Sequence, residues 1–562
     1  MENMNGGRAL MKSLEKEGVK EVFGLPGGAN LPMYDELFKS NIRHILARHE
    51  QSAAHMADGY GRVSRKPGVC FATSGPGATN ILTGLATAQA DSAPMIAITG
   101  QVPVNMIGKD AFQESDIIGM ANPCVKYSFQ PRDASEIPGV VRKGFYIAAT
   151  GRPGPVLIDI PKDVQQNEAS MTFPEEVKIR GYHPWTDPDI VQIEKAIDML
   201  LAAEKPIILA GGGVTISSAF AELQSISELL MIPVVTTFKG KGSFPENHPL
   251  SLGPIGMHGH AEANKLMTEA DCVLAIGTRF SARSVGTFEE FEKRLKIIHM
   301  DVDPAEIGKN QTTNIAVVGD VQATLRIMVK LLIHKSIKKT EGTTWLKHVK
   351  EVKEYWRENL KLPKGEMTAA KILRKLREVL PKESITTTEV GQHQMWASLF
   401  FDVIHPGTFF SSTGLGTMGW GFPAAIGAKV AKPDVAVVDI AGDGSFSMTE
   451  NSLATSVLEK IPVIGFLVNN FSLGRVAQWQ RTFYDRRMIG VDLKNCPDYV
   501  KLAESYGAQG IRAQSLDELE KAIKVGLKSD VTTVIDIPID PEEDVLPFVA
   551  PGTPLKDMIL PS

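Results

Sequence analysis

The sequence predicts an α/β protein made of three doubly wound parallel-sheet domains in series. Short apolar segments alternate with stretches long enough for a helix, and this alternation stops and restarts twice along the chain. Parallel strands need crossover connections and are buried on both faces, so the alternation indicates parallel sheets covered by helices on both sides. The chain has 562 residues, which agrees with three or four domains of about 150 residues each.

The first predicted domain spans residues 1–165 and has five strand-like segments, at 21–25, 42–46, 69–73, 95–99 and 156–160. The stretch from Val164 to Asp189 is polar and contains three prolines, which predicts a linker. The central predicted domain spans residues 190–333. Its strand-like segments are 207–210, 233–237, 272–276 and 297–301.

Residues 334–364 are rich in charge and carry Trp345 and Tyr355 at helical spacing, which predicts an exposed helix between domains. The third predicted domain spans residues 366–540, and a proline-rich tail follows at 541–562. The strand-like segments of the third domain are 384–388, 435–440, 463–468 and 533–537.

Composition excludes several classes of protein. The 60 Lys and Arg nearly balance the 65 Asp and Glu, giving a net charge of −5 without long blocks of one sign, so nucleic acid is not expected as the main partner. Cys70, Cys124, Cys272 and Cys496 lie far apart, which excludes a CxxC zinc pattern and predicts core thiols. No signal-like or membrane-spanning segment is recognisable, so we expect a cytoplasmic protein with no membrane partner.

The most specific chemical signal lies in the third domain. Gly442-Asp443-Gly444-Ser445-Phe446 and Asn469-Asn470 each follow a predicted strand, with room for one helix and one strand between them. The carboxyl ends of neighbouring parallel strands meet at one sheet edge, where open α/β sheets bind ligands. A carboxylate and an amide oxygen beside glycines suit a divalent cation that holds a diphosphate.

Together these two motifs resemble the thiamin diphosphate motif of the thiamin-dependent decarboxylase and carboligase family. That family also requires a glutamate on an N-terminal domain, and His49-Glu50-Gln51 supplies one after the strand at 42–46. A carboxyl group at the pyrimidine ring nitrogen promotes the imino form of the cofactor, which removes the proton from thiazolium C2. The resemblance therefore makes Glu50 the cofactor activator.

Longer strings, in family order from about residue 5 to 558, resemble the acetohydroxyacid synthase (acetolactate synthase) family, and the chain is identified as a catalytic large subunit of that family. The strings are GLPGGA at 24–29, residues 49–61, SGPGATN at 74–80, TGQVP at 99–103, DAFQE at 110–114, GRPGPV at 151–156, GMHG at 256–259, IGKN at 307–310, VGQHQMW at 390–396, GLGTMG at 414–419 and QWQ at 478–480.

The resemblance implies a transferase that decarboxylates pyruvate on thiamin diphosphate and ligates the two-carbon unit to pyruvate or 2-ketobutyrate. This reaction is the first step of branched-chain amino acid biosynthesis. The resemblance also implies a homodimer or homotetramer with active sites between chains, and it leaves room for a small regulatory subunit. Its implied cofactors are thiamin diphosphate, Mg²⁺ and FAD.

The residues implied by the resemblance fall into four groups. The catalytic group is Glu50, Gly27, Gly28, Gln101, Lys162, Arg283, Met418 and Trp479, with Met418 as the apolar support that bends the cofactor. The thiamin diphosphate group is Gln392, His393, Gly416, Met418, Asp443, Gly444, Ser445 and Asn470. The Mg²⁺ ligands are Asp443, Asn470 and Ser472, the last through its backbone carbonyl. The FAD group is Gly211, Gly212, Gly213, Gly256, Met257, His258, Gly277, Arg279, Asp301 and Asp320.

The chain departs from the family pattern in two places. Ser281 and Ala282 stand where the family usually has two aspartates, which bears on flavin affinity. Arg475 stands where a methionine is usual, and a cation there would change which acceptor is preferred. Four alternatives stay open: a glyoxylate carboligase, although that family has an apolar residue in place of Glu50; a sulfoacetaldehyde-type acyltransferase; a flavin-dependent pyruvate oxidase; and a non-catalytic paralogue.

Overall fold

Three six-stranded parallel sheets follow one another along the chain, which confirms the predicted fold class. The computed structural model describes residues 2–184, 187–286, 295–339 and 342–561. The first residue of the first predicted domain and the last residue of the predicted tail lie outside these ranges. The exact boundaries proposed for the domains stay predictions.

The first sheet has its strands in the spatial order Arg43–Leu46, Glu21–Gly24, Gly68–Ala72, Met95–Gln101, Pro155–Pro161 and Tyr127–Phe129. Its helices are Gly6–Lys16, Leu31–Phe38, Glu50–Ser64, Pro76–Asn80, Leu82–Asp91, Ile117–Ala121, Ile137–Ala149 and Lys162–Gln166. A two-stranded antiparallel ribbon joins Glu2–Asn5 to Glu168–Met171. The strand order reverses between Glu21–Gly24 and Gly68–Ala72, and a ligand crevice is expected at such a point.

The central sheet has the strand order of dinucleotide-binding folds, because the first of its strands in the chain lies in the middle. In spatial order the strands are Ser251–Pro254, Val234–Thr236, Pro206–Ala210, Cys272–Ile276, Lys296–Asp301 and Ile315–Val318. The helices of this region are Ile190–Ala202, Gly212–Ile216, Phe220–Leu230, Ala261–Glu269, Ala282–Val285 and Val321–His334.

The third sheet repeats the strand order of the first. Its strands are Phe409–Ser411, Ile385–Thr388, Val437–Gly442, Ile464–Asn469, Thr533–Pro538 and Gln509–Arg512. Its helices are Ala369–Val379, Gln392–Phe400, Gly421–Ala431, Asp443–Phe446, Ser452–Leu458, Gly474–Phe483, Tyr499–Ser505 and Leu516–Lys528. In the tail, Phe548–Val549 pairs with Met558–Ile559.

The charged segment after the central sheet forms the helix Thr344–Asn359, but this helix is less exposed than its charge predicts. Trp345 is only 5% exposed, and its indole N–H donates a 3.0 Å hydrogen bond to the carbonyl of Pro206. Tyr355, in contrast, is 57% exposed. The helix therefore uses one face to cover the central sheet and leaves the other to solvent.

The first and third sheets are joined by a close helix pair. Glu50–Ser64 packs along Gly421–Ala431, and a Cβ built at Gly59 would lie 2.3 Å from the carbonyl oxygen of Ala424. Only glycine permits this approach of the two backbones. Across the described ranges, the helices are too short or too polar to cross a membrane.

Candidate active site

A cavity of about 230 Å³ opens at the carboxyl edge of the third sheet. It lies where Ile385–Thr388, Val437–Gly442 and Ile464–Asn469 end side by side, which is the crevice position of an open parallel sheet. The residues predicted for the diphosphate and the cation come together in its wall. They are Gln392, His393, Gly416, Met418, Asp443, Gly444, Ser445, Asn470 and Ser472.

Asp443 is the one carboxylate among the described residues of this wall, and it is almost fully buried. The backbone N–H groups of Gly444 and Ser472 point at it, whereas its Oδ2 has no hydrogen-bond partner among the described residues. Burial raises the pKa of Asp443 to about 7. A divalent cation beside the carboxylate would favour the ionised form and supply the missing partner.

Asn470 is held by a neighbouring amide. Its Nδ2 donates a 2.8 Å hydrogen bond to Oε1 of Gln392, and Gln392 donates in turn to Oε1 of Gln478 at 3.1 Å. This bond leaves Oδ1 of Asn470 for another partner.

Groups of three or more His, Cys, Asp or Glu able to hold a metal are absent from the described part of the chain. A cation here would therefore rely on one carboxylate, neutral oxygens and phosphate oxygens, a set that suits Mg²⁺.

Glu389 holds two parts of the cavity wall together through hydrogen bonds, and the sequence analysis did not identify it. Its Oε2 accepts hydrogen bonds from Ser445 Oγ and from the Gly419 N–H, both at 2.7 Å. Its Oε1 accepts from the N–H of Phe422 at 3.0 Å. Burial raises the pKa of this carboxyl. A single acidic side chain thus joins the diphosphate motif to the loop that carries Met418, and its only sequence signal is its position directly after a strand.

His393 lies in the same wall, and its Nε2 has no partner within the described ranges. Burial lowers the pKa of His393 to about 3, so the imidazole is neutral at physiological pH. The ring is in close contact with Gly442, because a Cβ there would lie 2.5 Å from Nδ1 of the histidine.

The predicted residues of the first domain gather at the carboxyl edge of the first sheet. Gly27 and Gly28 follow Glu21–Gly24, Glu50 begins the helix after Arg43–Leu46, and Gln101 and Lys162 lie at the ends of adjacent strands. Glu50 is 8% exposed, and its Oε2 accepts a 2.9 Å hydrogen bond from Nδ2 of Asn80. The described residues that line the cavity of the third sheet include none of these five.

Arg475 lines that cavity and is neither free in solvent nor paired with a carboxylate of the described residues. Its guanidinium lies 4.8 Å from the ring centre of Trp479 and 4.6 Å from that of Phe548 in the tail. Burial, with a further contribution from Arg283, lowers the pKa of Arg475 to about 9. Arg283 itself donates to Oε1 of Gln394 at 2.9 Å. Arg475, which stands where the family pattern has a methionine, thus places a cation at the edge of the cavity.

A second cavity of about 230 Å³, here called the central cleft, lies at the switch point of the central sheet. A Cβ at Gly277 would lie 2.5 Å from the Cα of Gly213, so the two glycine turns are in direct backbone contact. The N–H of Gly211 faces away from the cleft and donates to the carbonyl of Ile276 at 2.8 Å. The predicted flavin residues in the wall are Gly212, Gly213, Gly277, Arg279, Asp301 and Asp320, and Arg283 joins them.

Gly256, Met257 and His258 lie outside the wall of the central cleft, next to the C-terminal tail. The N–H of Val549 donates to the carbonyl of Met257 at 2.9 Å, and the His258 ring stacks on Phe548. Their assignment to the flavin stays a prediction. Another cavity, of about 1050 Å³, lies between Thr344–Asn359, the central domain and the third domain, and its described wall contains none of the predicted residues.

Comparisons with known proteins agree with this geometry. The family descriptions "Thiamine pyrophosphate enzyme, N-terminal TPP binding domain", "central domain" and "C-terminal TPP binding domain" match residues 4–120, 193–328 and 389–537. Thiamine pyrophosphate is another name for thiamin diphosphate.

Relatives similar to the chain include a probable acetolactate synthase large subunit of Methanocaldococcus jannaschii, 49% identical over 99% of this chain and 95% of that protein. Acetolactate synthase large subunits of Parasynechococcus marenigrum and Corynebacterium glutamicum are 42% and 41% identical, over 100% and 99% of this chain and 92% and 90% of theirs. The chain belongs to the acetolactate synthase large-subunit family of thiamin diphosphate enzymes.

Proposed function

We propose that the chain decarboxylates pyruvate and ligates the two-carbon unit to a second 2-keto acid, giving 2-acetolactate from pyruvate or 2-aceto-2-hydroxybutyrate from 2-ketobutyrate. The main support for the proposal is that Asp443, Asn470 and Ser472 line one cavity, in a chain whose relatives are acetolactate synthases. Bound thiamin diphosphate supplies the electron sink for decarboxylation.

The cavity of the third sheet would hold the diphosphate through Mg²⁺. The Asp443 carboxylate, Oδ1 of Asn470 and the carbonyl of Ser472 are oxygen ligands of the kind Mg²⁺ takes. The unpartnered Oδ2 of Asp443 supports this assignment because a buried polar atom without a partner is costly. Met418 in the same wall offers an apolar surface to the cofactor rings.

Glu50 would reach the cofactor of a second copy of the chain. Within one chain Glu50 bonds to Asn80, whereas the described wall of the diphosphate cavity comes entirely from residues 390–476. Exposed apolar side chains flank both halves of the site, among them Phe112 in the first domain and Leu415 and Ile489 in the third. A homodimer would cover these side chains and bring Glu50 to the partner's cavity.

The keto acid would bind between the two sheet edges. Lys162 and Arg283 are cations that can pair with its carboxylate, whereas Gly27, Gly28 and Gln101 supply close backbone approach and an amide. Trp479 forms an apolar wall next to Arg475. The relatives are named as large subunits, which supports a smaller partner subunit.

The central cleft fits a dinucleotide such as FAD. Its glycine turns permit close backbone approach, and Arg152, Arg279 and Arg283 are cations that can bind a diphosphate. Asp301 ends a strand of the sheet, the position from which a carboxylate accepts ribose hydroxyl hydrogens. Ser281, which replaces an aspartate of the family pattern, lies in the same wall and its hydroxyl is 3.1 Å from that of Ser284.

The flavin should be needed for its structure and not for its redox chemistry, because decarboxylation and ligation transfer no net electrons. With pyruvate, thiamin diphosphate and Mg²⁺, the purified chain should form acetolactate equally well with FAD or with its 5-deaza analogue, which does not undergo one-electron transfer and is not reoxidised by oxygen. Quantifying the product tests the proposed reaction, and flavin absorbance tests whether the flavin stays oxidised during turnover. Bleaching of the flavin at the turnover rate with acetate as product would show an oxidase instead.

Arg475→Met should raise the yield of acetohydroxybutyrate relative to acetolactate when pyruvate and 2-ketobutyrate compete. The guanidinium is held between two rings at the edge of the cavity, whereas methionine would offer a flexible apolar wall to an ethyl group. One methylene discriminates by about 1 to 3 kcal/mol, which corresponds to a shift of about 10- to 200-fold in the product ratio. Arg481→Met, six residues further along the same helix, breaks the ion pair with Asp544 and is the control. An unchanged product ratio in Arg475→Met would exclude the role.

A further inference from the structure

Asp91, at the end of the helix Leu82–Asp91, is the centre of a buried ionic network that joins all three domains. Its carboxylate accepts hydrogen bonds from Thr413 Oγ1 at 2.7 Å, from the Thr413 N–H at 3.0 Å and from the Gly414 N–H at 2.8 Å. Arg62 donates to it at 3.2 Å, and Nζ of Lys239 lies 3.3 Å away. These neighbours hold the pKa of Asp91 well below its usual range, so it is a permanent anion.

The loop fixed by this anion, residues 411–418, leads directly to the proposed cofactor site. It starts at the end of strand Phe409–Ser411 and ends at Met418 in the wall of the diphosphate cavity. The same helix of the first domain holds the loop a second time, because Thr87 Oγ1 and Thr417 Oγ1 lie 2.7 Å apart. The first domain therefore holds the loop at two points, one at Thr413 and Gly414 and one at Thr417.

Lys239 connects the network to the central cleft. Its side-chain stem lies over the glycine turn, since a Cβ at Gly212 would lie 2.6 Å from the Cγ of the lysine. Lys239 lines both the central cleft and an adjoining cavity of about 120 Å³. Its ammonium group contacts the carbonyl oxygen as well as the carboxylate of Asp91. One side chain thus touches both the cleft and the anion that holds the loop.

We propose that Asp91 is a positioning residue for loop 411–418. Lys239 couples the contacts between Asp91 and this loop to the binding of a dinucleotide in the central cleft. The ammonium group is already bonded to Asp91, so the stem is the part of Lys239 that a bound ligand contacts. A ligand packed on the stem restricts Lys239 to the position from which it bonds Asp91. That restriction stabilises the loop, so occupation of the cleft and binding of thiamin diphosphate favour each other.

The test measures affinity and rests on the proposed FAD and thiamin diphosphate sites. FAD is titrated into the apoprotein with flavin fluorescence as the readout, first alone and then with saturating thiamin diphosphate and Mg²⁺. For the wild type we expect FAD to bind about tenfold more tightly when thiamin diphosphate is present, within the usual range of coupling between two sites. Lys239→Met keeps a stem but removes the ammonium group, and this variant should bind FAD with little or no such enhancement.

Two further variants make the test specific. Lys335→Met removes an exposed lysine at the C-terminal end of the helix Val321–His334, paired with Glu194, and should keep the wild-type enhancement. Thr413→Val removes one of the hydrogen bonds to Asp91 and should reduce the enhancement. This variant tests the coupling between the two cofactors even if Lys239→Met does not fold.

The outcomes separate this inference from the proposed function. Full enhancement in Lys239→Met or Thr413→Val overturns the inference, as does a wild type that binds both cofactors independently, and neither result affects the proposed reaction. Failure of the wild type to bind FAD would refute both the flavin assignment and the coupling, while acetolactate formation would still decide the reaction.

Discussion

Glu50→Gln should lower kcat by about 10²- to 10⁴-fold, the usual contribution of a positioned general acid or base, with thiamin diphosphate still bound. An amide cannot promote the imino form of the pyrimidine as a carboxyl group does. The substitution preserves shape, and an amide oxygen can still accept the 2.9 Å hydrogen bond that Asn80 donates to Oε2. Turnover is measured with pyruvate, and cofactor affinity by titration of the apoprotein.

Glu36→Gln is the matched control for this substitution. Glu36 is 7% exposed against 8% for Glu50, and it belongs to the same domain on the helix Leu31–Phe38. Its carboxylate bonds Asn5 and Lys39 far from the sheet edge, so turnover should stay near that of the wild type. Near-normal turnover in purified Glu50→Gln would show that the glutamate has no part in activation.

The sequence predicts the interior of each sheet better than its edges. Each of the thirteen strand-like segments coincides with an observed strand, because central parallel strands are buried on both faces and read as continuous apolar runs. Within the three six-stranded sheets, the strands that the pattern missed are Tyr127–Phe129, Ser251–Pro254, Ile315–Val318, Phe409–Ser411 and Gln509–Arg512. All five lie at sheet edges, where one partner strand is missing and a short or partly polar segment suffices.

The residues predicted for the diphosphate and the cation come together for the same reason that the sheets were predictable. Asp443 and Asn470 each follow a buried strand, and parallel topology alone brings the ends of neighbouring strands to one crevice. Asp91 ends a helix and could not be found in this way, and Glu389 follows a strand but belongs to no recognised motif. Their importance lies in hydrogen bonds to backbone N–H groups of Gly419, Thr413 and other residues distant in sequence, and such contacts leave no local pattern.

Arg475 shows where local sequence is insufficient. From the sequence alone, a cation four residues before an aromatic on a helix is equally compatible with a place beside the reacting centre and with solvent exposure or an ion pair. In the structure its guanidinium has Trp479 on one side and Phe548 on the other, and Phe548 belongs to the C-terminal tail. The tail therefore decides the environment of Arg475, and only the folded chain brings the two together.

Asp443→Ala should abolish Mg²⁺-dependent binding of thiamin diphosphate, and excess FAD should not restore activity. The substitution removes the carboxylate from a wall that otherwise offers neutral oxygens to a cation. For the wild type, Mg²⁺ affinity should fall as the pH drops below about 7, because burial raises the pKa of Asp443 to about 7 and the cation binds the ionised form. Asp434→Ala is the control. Asp434 is exposed and lies just before the strand Val437–Gly442, at the opposite end from Asp443, so its loss should change neither the Mg²⁺ affinity nor the thiamin diphosphate affinity. An unchanged, Mg²⁺-dependent affinity in Asp443→Ala would exclude the site.

Mixing the two inactive variants, Glu50→Gln and Asp443→Ala, should restore activity if each active site is formed between chains. A mixed dimer then contains one site with both substitutions and one site with neither. With random pairing of equal amounts, half of the dimers are mixed and about a quarter of the wild-type activity should return. Subunit exchange is verified separately with differently tagged chains. Complete exchange without recovery would place Glu50 and Asp443 in the same site of a single chain, and would contradict the homodimer that the separation of Glu50 from the diphosphate cavity supports.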